Sequence, residues 1–268
     1  MSPRKRLPLK GNPQKRMKLL DHFRELRNRA IVAAVALLIA SVLGWFLYDS
    51  VLGLLQKPLD DIAAADGKTA MLNFAGVVSP FDMKIKISIF IGIILSSPVW
   101  LYEIWAFIMP GLHRKEKLYT IGFLGTALPL FLAGGALAFF ALPNAVRTMG
   151  GLVPQGTSYI VPAQDYLSFV TVVIIAFGAA FVLPVLMVGL NMLDLLSART
   201  IRRSWRWLVV LVFVFAAIAT PTPDAVSMFY LVIPMLFMFF LAWLVCAIID
   251  RGRKRRRIAD GTWVEPID

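Results

Sequence analysis

Long apolar runs, separated by shorter polar and charged stretches, dominate the chain. An apolar helix needs about 20 residues to cross a hydrocarbon layer about 30 Å thick. The pattern therefore predicts an all-α polytopic membrane protein with six transmembrane helices, at residues 30–47, 85–109, 118–142, 166–192, 207–220 and 226–249. The fifth run is too short for a full crossing, which indicates local bilayer thinning or shielding by a partner helix.

The lysines and arginines assign an orientation to these helices. Segments 1–29, 110–117, 194–206 and 250–268 fall on one side of the predicted membrane and hold 23 of the 28 basic residues. Because cytoplasmic loops carry the excess of lysine and arginine, both termini are predicted to be cytoplasmic. We therefore divide the chain into a basic N-terminal segment (1–29), a six-helix domain (30–249) and a basic C-terminal tail (250–268), placed in the cytoplasmic (inner) cell membrane.

Two outward connections are long, at residues 48–84 and 143–165. The first contains DSVLGLLQKPLDDIAAA, whose apolar residues recur at helical spacing and predict a short amphipathic helix over the outer face. Ser79, Pro80 and Asp82 are residue types that start a helix. Prolines interrupt four predicted helices and bend them, which predicts a concave bundle with an outer, extracytoplasmic cap; they are Pro98, Pro129, Pro184 and Pro234.

Composition supports the membrane class, with 59% hydrophobic residues and a mean hydropathy of +0.73. The net charge of +12 follows the positive-inside pattern, and no nucleic-acid-binding motif accompanies it. Cys246 is the single cysteine, and no predicted membrane helix contains histidine or aspartate. Serine and aspartyl intramembrane proteases are thereby excluded, so we predict no enzyme, no metal site and no cofactor.

Two glutamates in basic surroundings are candidate binding residues. Glu25 lies in DHFRELRNR, before the first apolar run, and Glu116 lies in GLHRKEKL, before the third. Two such carboxylates can accept guanidinium groups bidentately, which suits a ligand with paired arginines. The alternative is an ordinary surface pair of Glu25 with Arg29, four residues on, worth about 0.2–0.5 kcal/mol. From spacing alone the surface pair is the simpler interpretation.

Glu103 is an acid inside a predicted membrane helix. Burial of such a group near the bilayer centre costs about 2.5–3.5 kcal/mol or more, so it is a candidate for function. It also lies six residues, roughly 9 Å, from the predicted cytoplasmic end, where its carboxylate can reach the interface. Both interpretations stay open.

Four motifs, in order along nearly the whole chain, resemble those of the TatC family, the polytopic subunit of the twin-arginine protein translocase. HFRELRNR is similar to the N-terminal H-x-x-E-L-R-x-R motif of that family. The other three correspond to the central signature, the fourth-helix motif and the last outer turn: SPFDMKIKISIFIGIILSSPVWLYEIWAFIMPGLHRKEK, YLSFVTVVIIAFGAAFVLPV and AAIATPTPDAVSMFYLVIPM.

The resemblance implies a core receptor that binds twin-arginine signal peptides of folded cargo. Such a receptor works in the lipid bilayer with single-span TatA- and TatB-type partners, in a multimeric complex, and export is driven by the proton-motive force. The alternative is a proton- or ion-coupled secondary transporter, suggested by bent helices and Glu103, although no inverted repeat is visible.

By motif position, the resemblance assigns signal-peptide binding to Glu25 and Glu116, with flanking positions at Leu26, Arg27, Phe107, Pro110 and Leu112. It assigns the outer cap and partner contacts to Pro58, Pro80, Phe81, Thr220, Pro221, Asp224 and Met228.

This chain departs from the family pattern at two positions. Val182 stands where the fourth helix often carries a glutamate, and Phe240 stands where an acid sometimes occurs in the last helix. Glu103 occupies a position where glutamine is common. We hypothesise that Glu103 supplies some of the missing polarity on the concave face.

Overall fold

The computed structural model describes residues 19–66, 70–74, 76–108, 117–151, 159–219 and 225–260. Six predicted site residues lie outside these ranges: Pro110, Leu112, Glu116, Thr220, Pro221 and Asp224. The elements are α1 (Leu19–Asp66), β1 (Ala70–Asn73), α2 (Ser79–Leu95), α3 (Ser97–Ile108), α4 (Lys117–Gly151), β2 (Tyr159–Pro162), α5 (Ala163–Met192), α6 (Ala198–Arg203), α7 (Trp205–Ala219) and α8 (Ala225–Ala259). The predicted all-α class is confirmed, with one short strand pair added.

Within the described ranges, four helices are long and apolar enough to cross a membrane, namely α1, α4, α5 and α8. Helices α2 and α3 together form a fifth candidate, bent by 58°. Helix α7 is apolar but has 15 residues, which at 1.5 Å per residue span roughly 22 Å. In the part of the chain that the structure describes, each predicted run is helical, with one break at Ser96, while the count of six crossings stays a prediction.

Helix α1 is longer than the sequence pattern predicts. Its 48 residues run without a break through the stretch predicted as a separate amphipathic helix, for a length of about 72 Å. Leu55 and Leu59, each 2% exposed, belong to the main buried cluster. Because the far half of α1 buries its apolar side against the bundle, the amphipathic stretch continues the first membrane helix and is not a separate element.

The break between α2 and α3 lies at Ser96, two residues before Pro98, and the predicted bend is present. A proline has no amide hydrogen and disfavours helical geometry in the residue before it. Side chains satisfy carbonyls of the last turn of α2 near the break: Ser97 Oγ donates to Ile94 O at 2.6 Å, and Trp100 Nε1 donates to Ile93 O at 3.0 Å. These bonds hold the two helices at a fixed angle.

Helix α5 is the centre of the bundle and contacts α2, α4, α7 and α8. Its residues Leu167, Val170 and Phe177 are fully buried. Helices α1 and α2 approach closely through small residues, since a Cβ added at Gly44 would lie 2.6 Å from Ser88 O. Small residues at such contacts are how helices pack in a membrane, where the solvent is as apolar as the side chains.

The two ends of the bundle are held in different ways. At one end β1 pairs with β2 in parallel, Gln164 Nε2 donates to Asp82 Oδ2 at 3.2 Å, and Tyr166 Oη donates to Leu55 O at 3.1 Å. These contacts join the two long connections that are predicted to be outward. The opposite end, which we call the basic end, comprises residues 22–29 of α1, 103–108 of α3, 189–192 of α5, α6, 250–259 of α8 and Asp260.

Candidate functional site

Three charged side chains from two helices meet at the basic end. Arg29 donates to Glu25 Oε1 through Nη2 at 2.7 Å and Nε at 3.1 Å. The same guanidinium donates through Nη1 to Glu103 Oε2 at 3.0 Å. The surface pair of Glu25 with Arg29 is thus present, but it extends to α3 and forms a cluster that we call the acidic triad, Glu25, Arg29 and Glu103.

The acidic triad is partly buried. The exposed fractions of its side chains are 19% for Glu25, 25% for Arg29 and 14% for Glu103. Charges in such surroundings interact more strongly than charges in bulk water. Two carboxylates face one guanidinium, so the triad carries an excess negative charge inside a strongly basic chain.

Glu25 keeps one carboxylate oxygen for another donor. Its Oε2 is buried and has no hydrogen-bond partner in the part of the chain that the structure describes. A buried carboxylate oxygen without a donor is unfavourable, and a charged donor that reaches it regains the loss. Glu25 therefore retains an unsatisfied acceptor, which a guanidinium matches in charge and geometry once it displaces the groups that cover the oxygen.

An aromatic contact lies beside the acidic triad. His22 stacks on Phe107, with ring centroids 4.5 Å apart and an interplanar angle of 21°. His22, Glu25 and Arg29 are three and four residues apart, so they share one face of α1. Leu26 and Arg27 are exposed and take no part in the triad. The structure thus brings Phe107 to the Glu25 face, while Leu26 and Arg27 lie on the exposed side of α1.

The predicted cap residues that the structure describes lie far from the acidic triad, toward the strand pair. Pro80 and Phe81 are exposed at the start of α2. The rings of Phe81 and Trp45 pack edge to face, with their centroids 6.1 Å apart. Pro58 lies in the far half of α1, and Met228 is half-buried near the start of α8. Their assignment to an outer cap and to partner contacts stays a prediction.

The two departures from the family pattern have different surroundings. Val182 is buried in one apolar cluster with Leu101 and Trp105, whereas Phe240 is exposed. Glu103 lies two residues from both Leu101 and Trp105, and so on the opposite side of α3 from them. The hypothesis that Glu103 supplies the missing polarity stays a prediction. In the structure the Glu103 carboxylate is paired with Arg29.

Sequence reasoning singled out Glu25 and Glu103 but not their connection through Arg29. Glu25 and Glu103 are 78 positions apart, and the contact depends on how α3 packs against α1 after the bend. The sequence signal for this connection was Arg29, which lies four residues after Glu25 and therefore on the same face of α1. Within the described ranges, no group of three histidine, cysteine or acidic residues is placed to hold a metal ion.

Residues 21–234 match the family model of the Sec-independent protein translocase protein (TatC). The chain belongs to the TatC family. A TatC protein of Xylanimonas cellulosilytica is 47% identical over 243 residues, which cover 91% of this chain and 88% of the relative. A TatC protein of Rothia mucilaginosa is 42% identical over 256 residues, 94% of this chain and 87% of the relative.

The fold also matches solved structures of TatC. A crystal structure of the twin-arginine translocase receptor TatC in DDM superposes with a TM-score of 0.72 at 30% identity, covering 84% of this chain and 99% of that one. A second crystal structure of that receptor gives 0.71 at 30% identity, with coverages of 85% and 98%. TatC membership identifies a membrane protein that is a component of a protein translocase and not an enzyme, as the sequence predicts.

Proposed function

We propose that this protein is the signal-peptide receptor of a twin-arginine translocase, and that it exports folded proteins with TatA- and TatB-type partners, driven by the proton-motive force. The observation that carries the proposal is the Glu25 carboxylate, partly buried at the basic end with Oε2 unpaired among the described residues. TatC relatives and the receptor structures support the same role.

Recognition rests on carboxylates that accept arginine. Glu25 takes one guanidinium of the peptide, and Glu116, at the start of the third predicted membrane helix, takes the other. Arginine is favoured over lysine because its planar donors match a carboxylate bidentately, whereas an ammonium acts as a point charge. Leu26, Arg27, Phe107, Pro110 and Leu112 flank the bound motif.

The proposed receptor spans the cytoplasmic membrane six times, with both termini in the cytoplasm. This topology places the basic end at the cytoplasmic face, where the signal peptide arrives, and the strand pair outside. The short α7 and the turn after it form the surface for single-span partners, with Thr220, Pro221, Asp224 and Met228 at the contact. Pro58, Pro80 and Phe81 belong to the outer cap.

A proton- or ion-coupled transporter is the second candidate. The observation that favours it is the ion-paired Glu103 beside a helix broken by 58°, since ionisable groups at broken helices often bind coupling ions. Proton uptake into proteoliposomes without any signal peptide or translocase partner supports this candidate, and its absence together with export activity eliminates it.

Cross-linking of a signal peptide tests the site. A twin-arginine signal peptide with a photoreactive residue beside the arginine pair is expected to label the wild-type chain and to lose most labelling in Glu25→Ala plus Glu116→Ala. Asp260→Ala, which removes an exposed acid from the same end, is the matched control and should label normally. Undiminished labelling of the double variant contradicts the site, whereas failure to complement a translocase-deficient strain contradicts the function.

A further inference from the structure

We propose that Arg29 is an internal guanidinium that competes for Glu25, and that Glu103 is the positioning residue that limits this competition. The inference rests on the proposed function, because it concerns how Glu25 stays available to a signal-peptide arginine. It follows from the acidic triad, in which Arg29 contacts Glu25 Oε1 at 2.7 Å and Glu103 Oε2 at 3.0 Å.

Arg29 uses only half of the Glu25 carboxylate. Both of its contacts to Glu25 go to Oε1, while its third donor, Nη1, is directed at Glu103. A guanidinium that satisfies a carboxylate fully contacts both oxygens, in a fork-to-fork arrangement. The division of Arg29 between two acids therefore leaves Glu25 Oε2 for an incoming donor.

The net charge of the acidic triad also favours binding of an incoming cation at Glu25. With Glu103 ionised, one negative charge remains after Arg29 has been paired, and this excess attracts one further cation. Without the charge of Glu103, Arg29 and Glu25 neutralise each other and the excess disappears. Partial burial of all three side chains makes the difference larger than it would be for exposed groups.

Glu103 is suited to hold Arg29 because it approaches from another helix. Glu25 and Arg29 are four residues apart on α1 and would pair in an isolated helix. Glu103 lies on α3 and is the least exposed of the three side chains. When a peptide arginine engages Glu25, Arg29 keeps a carboxylate partner in Glu103 and is not left buried without one.

Binding of a labelled twin-arginine signal peptide to the purified full-length protein in detergent tests the inference. Glu103→Gln is expected to weaken binding about tenfold, the factor that corresponds to about 1.4 kcal/mol and lies at the lower end for a charge-assisted contact. Arg29→Gln removes the competing guanidinium and is expected to bind the peptide more tightly than wild type. The double variant Arg29→Gln plus Glu103→Gln restores the excess charge and should return to within about threefold of wild type, as coupling between contacting groups requires.

Three controls separate charge from structure. Glu103→Asp keeps the carboxylate and should bind more tightly than Glu103→Gln, and Arg29→Lys in the Glu103→Gln background keeps the cation and should stay weak. Thermal unfolding of every variant reports the folded fraction, and Arg29→Met replaces Arg29→Gln if the latter folds poorly.

Each outcome has a definite meaning. The inference is overturned if Glu103→Gln binds the peptide with wild-type affinity, or if the double variant binds as weakly as Glu103→Gln. In either case the proposed function still stands, provided that binding depends on Glu25. Equal binding by wild type and Glu25→Gln overturns both.

Discussion

Gly44 shows how a single missing side chain sets the distance between two membrane helices. A Cβ at this position would lie 2.6 Å from Ser88 O and 3.1 Å from Ile91 Cβ. The first of these atoms belongs to the backbone of α2, so a rotamer change cannot relieve the clash. Close packing of α1 on α2 therefore depends on glycine here.

We predict that Gly44→Ala destabilises the protein by about 1–3 kcal/mol, the usual cost of an overpacked contact. Gly53→Ala is the matched control, because Gly53 lies on the same helix with no atom within 4 Å of the added Cβ. Thermal unfolding in detergent measures both. A Gly44→Ala protein as stable as Gly53→Ala would show that α1 and α2 can separate without cost.

Helix α8 secures the end of α5 and the start of α6 through its polar extension. Asp250 accepts from Asn191 Nδ2 at 2.9 Å and from Ala198 N at 2.7 Å. Arg253 donates to Asn191 O at 2.7 Å and Met192 O at 2.6 Å, which are carbonyls of the last turn of α5. These bonds satisfy groups that helix ends leave unpaired. The predicted basic tail therefore begins as a continuation of α8 with a structural role.

Asp250→Ala is expected to destabilise the protein by about 1–3 kcal/mol, because it leaves buried donors at the α5–α6 junction without their acceptor. Proteolysis or amide hydrogen exchange of the α5–α6 junction is the appropriate measurement, since local opening precedes global unfolding there. Asp260→Ala, at the exposed residue directly after the same helix, is the control. Equal exchange in the two variants would show that Asp250 does not hold the junction.

The orientation of the whole molecule can be tested through introduced cysteines. The native Cys246 is fully buried, so the unmodified chain is expected to react little with thiol reagents. Asn73 and Asp260 are exposed at opposite ends of the bundle. A membrane-impermeant maleimide added to intact cells is expected to label Asn73→Cys, and to label Asp260→Cys only after permeabilisation. The reverse pattern would contradict cytoplasmic termini.

Local properties of the chain determined most of the architecture. Apolar length predicted the apolar helices, and Pro98 predicted the break between α2 and α3. The start of α2 at Ser79 was also predicted, although among the described residues the Ser79 hydroxyl makes no capping hydrogen bond and Val78 is the N-cap residue. The four ordered motifs predicted membership of the TatC family, which the family model and the similar TatC proteins confirm. All of these features depend on residues that are close together along the chain, so they can be predicted from the sequence alone.

Contacts between distant segments were decided only by the tertiary structure. The continuation of α1 to Asp66, the pairing of β1 with β2 and the bond from Arg29 to Glu103 each require two remote parts of the chain to pack together. By itself the sequence determined that Glu25 is an acid among cations, with an arginine one turn away. Packing of α3 against α1 decided that this arginine is shared with Glu103, because only that approach brings a second carboxylate within hydrogen-bonding distance.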